Sequence, residues 1–157
     1  MSHMTRRMLA AVLALGGVFL SVYLLLYALG VYGELVCGVG GGCDVVQASK
    51  YSRLLGVPVA GWGLAWYAAV FLVAFLSVQG RFAEEKWPGR SLLVLAAGGL
   101  AFSFYLTAIE LFVLHAICRW CVASAILTVL IFVAALPWGG SASGGSSPES
   151  LESGPIP

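Results

Sequence analysis

Polar residues are so sparse along this chain that they read as punctuation between apolar runs. After Thr5, Arg6 and Arg7 an apolar segment covers residues 8–29, a second covers residues 61–79, and a longer one covers residues 91–138. About 20 apolar residues are enough for a helix to cross a hydrocarbon core of roughly 30 Å. The first segment is too long for the apolar core of a signal peptide, and no small-residue cleavage site follows it cleanly. The last run, as one helix, would measure about 70 Å, so it must fold back within the membrane. Its polar point lies at residues 115–121, and the reversal is expected there although no Gly or Pro marks it. The pattern therefore predicts an all-α integral membrane protein, a four-transmembrane-helix bundle.

Residues 30–60 form the one sizeable stretch outside the spans. In it, Asp44-Val45-Val46-Gln47 reads as a capping box, with the Asp oxygen taking a backbone donor and the Gln reaching back. A short half-helix over residues 45–54 is expected to follow, ended by Gly56 and Pro58 and lying at the membrane surface. This external loop carries a cysteine pair, Cys37 and Cys43.

Composition agrees with the pattern. Of 157 residues, 61% are hydrophobic and 10% are charged. Soluble domains keep far more charge. A net charge of +1 gives no electrostatic footprint for nucleic acid. The basic residues set an orientation. With both termini cytoplasmic, Arg6, Arg7, Arg81, Lys86 and Arg90 lie inside, and Lys50, Arg53 and Arg119 lie outside. All four cysteines then share the external face of a multi-pass membrane protein. Trp87 and Trp138 fall at the inner interface and Trp62 at the outer one. Residues 1–7 read as a tag scar and cytoplasmic N-terminus, residues 8–138 as the membrane domain, and residues 139–157 as a disordered Gly/Ser/Pro tail or linker.

The chemistry lies in the cysteines. Cys118-Arg119-Trp120-Cys121 is a C-x-x-C where the fourth span begins. At a helix N-terminus, free N–H groups favour a thiolate, and Arg119 adds a cation. Zinc sites use the same spacing, but zinc would need four ligands and would tie in Cys37 and Cys43 as well. The loop pair differs in kind, because four of the five residues between Cys37 and Cys43 are glycine. So small and flexible a ring gains little as a staple, whereas a shuttle must reach inward and outward in turn. A stapled surface turn is the competing reading. Within the spans, Glu110 is a carboxylate costly enough to suggest function, yet close enough to the external end to reach headgroups. His115 could assist proton transfer or sit at the interface. Gly16-Gly17 and Gly98-Gly99 suggest close helix contacts. Trp62, Tyr67 and Trp120 could wall a ligand pocket or act as interfacial anchors.

Over residues 8–138 the chain resembles bacterial members of the vitamin K epoxide reductase family. The resemblance rests on the four spans, the loop pair, Ser49 six residues after Cys43, the stretch from Gly56-Val57-Pro58 to Gly61-Trp62-Gly63, Tyr67 and the late C-x-x-C. It implies that Cys118 and Cys121 form the active-site pair, with Cys121 nearest the quinone. It implies that Cys43 exchanges with Cys118, that Cys37 meets a thioredoxin-like protein or domain, and that Ser49 supports the loop helix. The implied cofactor is a quinone of menaquinone, ubiquinone or phylloquinone type. Animal members have a tyrosine where this chain has Ala125 and a pocket asparagine where it has Val59. Those departures imply quinone reduction rather than epoxide reduction.

The expected activity is that of a membrane quinone-dependent thiol oxidoreductase that generates disulfides in its partner. A DsbB-like oxidase would serve a similar purpose, but with its C-x-x-C in the first external loop and its shuttle pair in the second. A non-enzymatic membrane module with structural disulfides or a metal is the alternative from another class.

Overall fold

A computed structural model describes residues 3–31, 33, 37, 42–79 and 87–136. Its elements are helix α1 (His3–Ala28), α2 (Cys43–Ala48), a 3-10 turn (Lys50–Ser52), strands β1 (Arg53–Leu54) and β2 (Val57–Pro58), then helices α3 (Val59–Val78), α4 (Trp87–Ile109) and α5 (Arg119–Ala135). Three helical stretches are long and apolar enough to cross a membrane: Met4–Ala28, Val59–Val78 and Trp87–Leu114. The fourth, α5, has 17 residues and stands at the lower limit for a span of roughly 17–25. The architecture is an all-α membrane bundle. Phe19, Val94 and Phe104 point outward and are about two-thirds exposed, as side chains that face lipid do.

The bundle packs through small residues. Ala10, Ala14, Ala74 and Ala96 are fully buried together with Val70 and Ile131. Side chains this small let helix backbones approach closely, which is the main source of attraction where no water is left to expel. Of the paired glycines, Gly17 faces the Tyr67 ring and Gly99 the Trp66 ring so tightly that a Cβ at either would collide. Gly16 and Gly98 have open space around them. One member of each pair thus makes the close contact expected of both.

At one end of the bundle the N-terminal arginines satisfy carbonyls that helix ends leave without partners. Arg6 donates from Nη2 to the Val133 and Leu136 oxygens at the end of α5. Arg7 donates from Nη1 to the Ser77 oxygen, 2.9 Å away, at the end of α3. A cation at a helix C-terminus also complements the helix dipole. Arg81, Lys86, Trp138, the glycines at 38, 40 and 41, and the tail over residues 139–157 lie outside the described residues.

The reversal between α4 and α5 falls within residues 115–118, inside the predicted interval. Its construction needs neither Gly nor Pro. The last turn of α4 widens into a π-helical turn (Glu110–Leu114), and His115 then takes a left-handed conformation with φ of 49°. The Glu110 carbonyl accepts from the backbone N–H of both His115 and Ala116, and this closes the turn.

The loop differs from its expected form. The half-helix predicted over residues 45–54 begins earlier, at Cys43, and stops at Ala48. Ser49 is extended, and its backbone N–H and Oγ both donate to the Val46 carbonyl, which ends the helix. No capping box forms, because Asp44 lies inside the helix and Gly42 occupies the cap position. Asp44 Oδ1 instead accepts from the Tyr27 hydroxyl at 3.2 Å. Residues 53–58 then form a tight hairpin, pairing Arg53 with Pro58 and Leu54 with Val57. Its two turn residues, Leu55 and Gly56, have φ of 56° and 82°. Two positive values in succession give the turn whose twist matches a two-residue hairpin. Trp62 Nε1 donates to the Leu54 carbonyl at 3.3 Å and ties the hairpin to the start of α3.

Candidate functional site

The four cysteines lie together at the end of the bundle opposite Arg6 and Arg7. Cys37 and Cys43 are joined in a disulfide with a Cα–Cα distance of 6.2 Å. Cys118 and Cys121 are free thiols. Cys37, Cys43 and Cys118 belong to one buried cluster with Leu24 and Val46, and both Cys43 and Cys118 have no exposed surface. With Cys37 and Cys43 bonded to each other, their sulfurs are not available as thiolate ligands for zinc.

The contact between the two pairs depends on Gly42. Its N–H donates to the Ile117 carbonyl at 3.2 Å, which docks the start of α2 on the turn before α5. A side chain there would strike Ala116. Glycine therefore sets how closely Cys43 approaches the segment that carries Cys118.

Cys118 is the N-cap of α5, with extended backbone, and its Sγ accepts the Cys121 backbone N–H at 3.4 Å. Its own N–H donates to Glu110 Oε2 at 3.2 Å. The Cys121 side-chain hydrogen bond holds the Cys118 thiol below its ordinary pKa. Burial and the Glu110 carboxylate push the other way, while backbone donors at the helix start assist. Glu110 is only 6% exposed, so this intramembrane carboxylate is turned inward rather than toward headgroups.

Beside the cysteines lies a cavity of about 340 Å³, enclosed by all four long helices and roofed by the loop. A space of this size, mostly apolar with a few polar groups, suits a small organic ligand. Cys121 is the one cysteine on its wall among the described residues, and Glu110 is a second reactive group there. Trp62, Tyr67 and Ser49 also line it. Tyr67 is 2% exposed, and its hydroxyl lies 2.9 Å from both the Ser124 carbonyl and Ser124 Oγ, and 3.2 Å from Thr128 Oγ1. Trp120 is not among the lining residues. Its ring sits against Tyr23 with centroids 5.1 Å apart, beside the buried cysteine cluster. His115 is exposed and lies off the cavity as well.

Several lining residues had no place in the sequence reading: Ser21, Tyr51, Trp66, Ser124 and Thr128. For the last two a signal existed. Ser124 and Thr128 follow Cys121 by three and seven residues, which places all three on one helix face. Val59 lines the cavity, whereas Ala125 does not.

Residues 8–136 match the Vitamin K epoxide reductase family. The matched span takes in all four cysteines and every residue that lines the cavity.

Proposed function

The chain belongs to the vitamin K epoxide reductase family, and from that premise we propose that it oxidises a thioredoxin-like dithiol and passes the electrons to a membrane quinone. The observation that carries this reading is the position of the C-x-x-C. Cys118 is buried against the loop disulfide, while Cys121 opens onto the cavity. A disulfide between them would face the shuttle on one side and the ligand on the other.

The relay is balanced at each step. A partner thiolate attacks Cys37 in the Cys37–Cys43 disulfide, and Cys43 leaves as a thiolate. The partner's second thiol then resolves its bond to Cys37, which yields an oxidised partner and a reduced loop pair. Cys43 attacks Cys118 of an oxidised C-x-x-C and releases Cys121. Cys37 then attacks Cys43, restoring the loop disulfide and expelling Cys118. The depressed pKa of Cys118 makes it a good leaving group in that step. The described state, with the loop pair oxidised and the C-x-x-C reduced, is the product of that sequence. A quinone in the cavity supplies a two-electron, two-proton acceptor. Cys121 gives up the electrons while Cys118 closes the disulfide on it.

The cavity fits such a ring in size and chemistry, with Trp62, Trp66 and Phe102 as apolar walls and Tyr67, Ser124 and Thr128 as a polar edge. Ser49 stabilises the loop helix through its bond to Val46. Val59 offers no hydrogen bond to an epoxide oxygen, which favours plain quinone reduction. A quinone of menaquinone, ubiquinone or phylloquinone type is the proposed acceptor, and the cysteines are proposed to face outward from the cytoplasm.

The test is quinone reduction by the purified protein with either a thioredoxin-like dithiol protein or dithiothreitol. Cys121→Ala abolishes turnover with both reductants. Cys37→Ala and Cys43→Ala abolish it with the protein dithiol and leave some turnover with dithiothreitol, which is small enough to reach the C-x-x-C through the cavity that Cys121 lines. Wild-type turnover with the protein dithiol in either loop variant would refute the shuttle.

A further inference from the structure

We propose that Glu110 is a catalytic proton carrier, which takes the proton of the Cys121 thiol and delivers it to an oxygen of the quinone being reduced. The proposal rests on the reading of the cavity as the quinone site. Glu110 and Cys118 are the groups whose charge acts on the Cys121 thiol. The Glu110 carboxylate is buried, lines the same cavity as Cys121, and spends one oxygen on the Cys118 N–H. An ionised carboxylate has about four acceptor positions, so this cap leaves capacity for a thiol proton. Among the described lining residues, Glu110 and Cys121 share the wall with the phenols Tyr51 and Tyr67, and no Lys, Arg or His is present. Glu110 is therefore the general base the site offers.

The chemistry closes. Oxidation of the Cys118–Cys121 dithiol releases two electrons and two protons, and quinone reduction consumes both. Glu110 accepts the Cys121 proton as that sulfur gives up its electrons, then donates it to the nearer quinone oxygen and returns to carboxylate. The Cys118 proton, lost on the loop side when its thiolate forms, is replaced at the second oxygen by one from solvent. No further oxidant or reductant is needed.

A structural role for Glu110, as the cap that holds the turn before α5, is the rival account, and Glu110→Gln separates the two. Glutamine keeps a carbonyl oxygen for the Cys118 N–H but cannot take a proton. In single-turnover experiments, dithiothreitol-reduced protein freed of reductant is mixed with a soluble quinone. The rate of hydroquinone formation in Glu110→Gln is expected to fall by at least about 100-fold, within the range typical of general acid–base groups. Exchange from the loop pair to the C-x-x-C, followed by alkylation and mass spectrometry without quinone, is not slowed in Glu110→Gln, because losing the carboxylate charge removes a contribution that raises the Cys118 pKa. Glu110→Asp, which keeps the base one carbon shorter, recovers part of the loss. Wild-type quinone reduction in Glu110→Gln, or equal loss of exchange and quinone reduction, would overturn the proposal. If reduced wild-type protein failed to reduce quinone at all, the reading of the cavity itself would fail, and this inference with it.

Discussion

Gly42 and Ala116 meet so closely that a Cβ built on Gly42 would lie 2.7 Å from the Ala116 Cβ and 3.2 Å from its Cα. Neither residue carries any chemistry. Their contact brings the buried end of the loop disulfide to the start of the C-x-x-C, and it does so against backbone, which cannot swing aside as a flexible side chain would.

Gly42→Ala should therefore push α2 away from the turn before α5. Overpacking of this kind costs about 1–3 kcal/mol, and the cost falls on the interface between the two cysteine pairs. Turnover with a protein dithiol should drop at least about 10-fold, while turnover with dithiothreitol changes little. Equal rates with both reductants in wild type and variant would show that the approach is not limiting.

The paired glycines give an internal control. Gly17→Ala would collide with the Tyr67 ring, whereas Gly16→Ala meets nothing within 4 Å. Gly17→Ala should lower thermal stability in detergent and weaken quinone binding, since Tyr67 forms part of the cavity wall. Gly16→Ala should be neutral or slightly stabilising, because alanine favours helix over glycine by about 1 kcal/mol. Matching losses in both variants would contradict the packing described for α1 and α3.

Much of this arrangement was legible in the apolar pattern. The four helices and the place where α4 turns into α5 follow from run lengths and from the polar residues between His115 and Cys121. The means of turning was not legible, because a left-handed histidine after a π-helical turn leaves no residue-type signal. In the loop, Asp44 and Gln47 had the spacing of a capping box, but the cap position fell to Gly42 and the Asp44 carboxylate bonded to Tyr27, a partner 17 residues away. The hairpin at Leu55-Gly56 was hidden for a similar reason. Leucine seldom takes positive φ, so only Gly56 hinted at a turn. Trp62 and Tyr67 line the cavity. Trp120, next to Cys121 in sequence, points to the α1 side because neighbours on a helix face different ways.

The thiol of Cys118 supplies a pH test. Its pKa is lowered mainly by the Cys121 side-chain hydrogen bond. In reduced wild-type protein, the ultraviolet thiolate absorbance that Cys118→Ser removes should therefore reach half its maximum at a lower pH than that of an ordinary thiol. Cys121→Ala removes the largest lowering contact and leaves burial and Glu110, which raise the pKa, opposed only by the backbone donors of residues 120 and 121. The profile should then move to higher pH. Comparison with Cys118→Ser assigns the absorbance to that site, and an unchanged profile would contradict the assignment.

The orientation expected from the basic residues is open to direct labelling. After mild reduction of spheroplasts, a membrane-impermeant maleimide should modify Cys37, the loop cysteine that keeps some exposed surface, without permeabilisation. Labelling that required detergent would place the cysteine end of the bundle in the cytoplasm.

The relay itself is tested most directly by trapping its central bond. Cys37→Ala with Cys121→Ala removes the two thiols that would resolve a Cys43–Cys118 disulfide, so mild oxidation should accumulate that link within one chain. The Cα atoms must come within roughly 7 Å for the bond to close, an approach that the Gly42 contact favours. Mass spectrometry of non-reduced peptides is predicted to find residue 43 joined to residue 118 in most molecules. If both thiols instead remained alkylatable and the crosslink were absent, the two pairs would not exchange, and the account of this chain as an electron relay would be wrong.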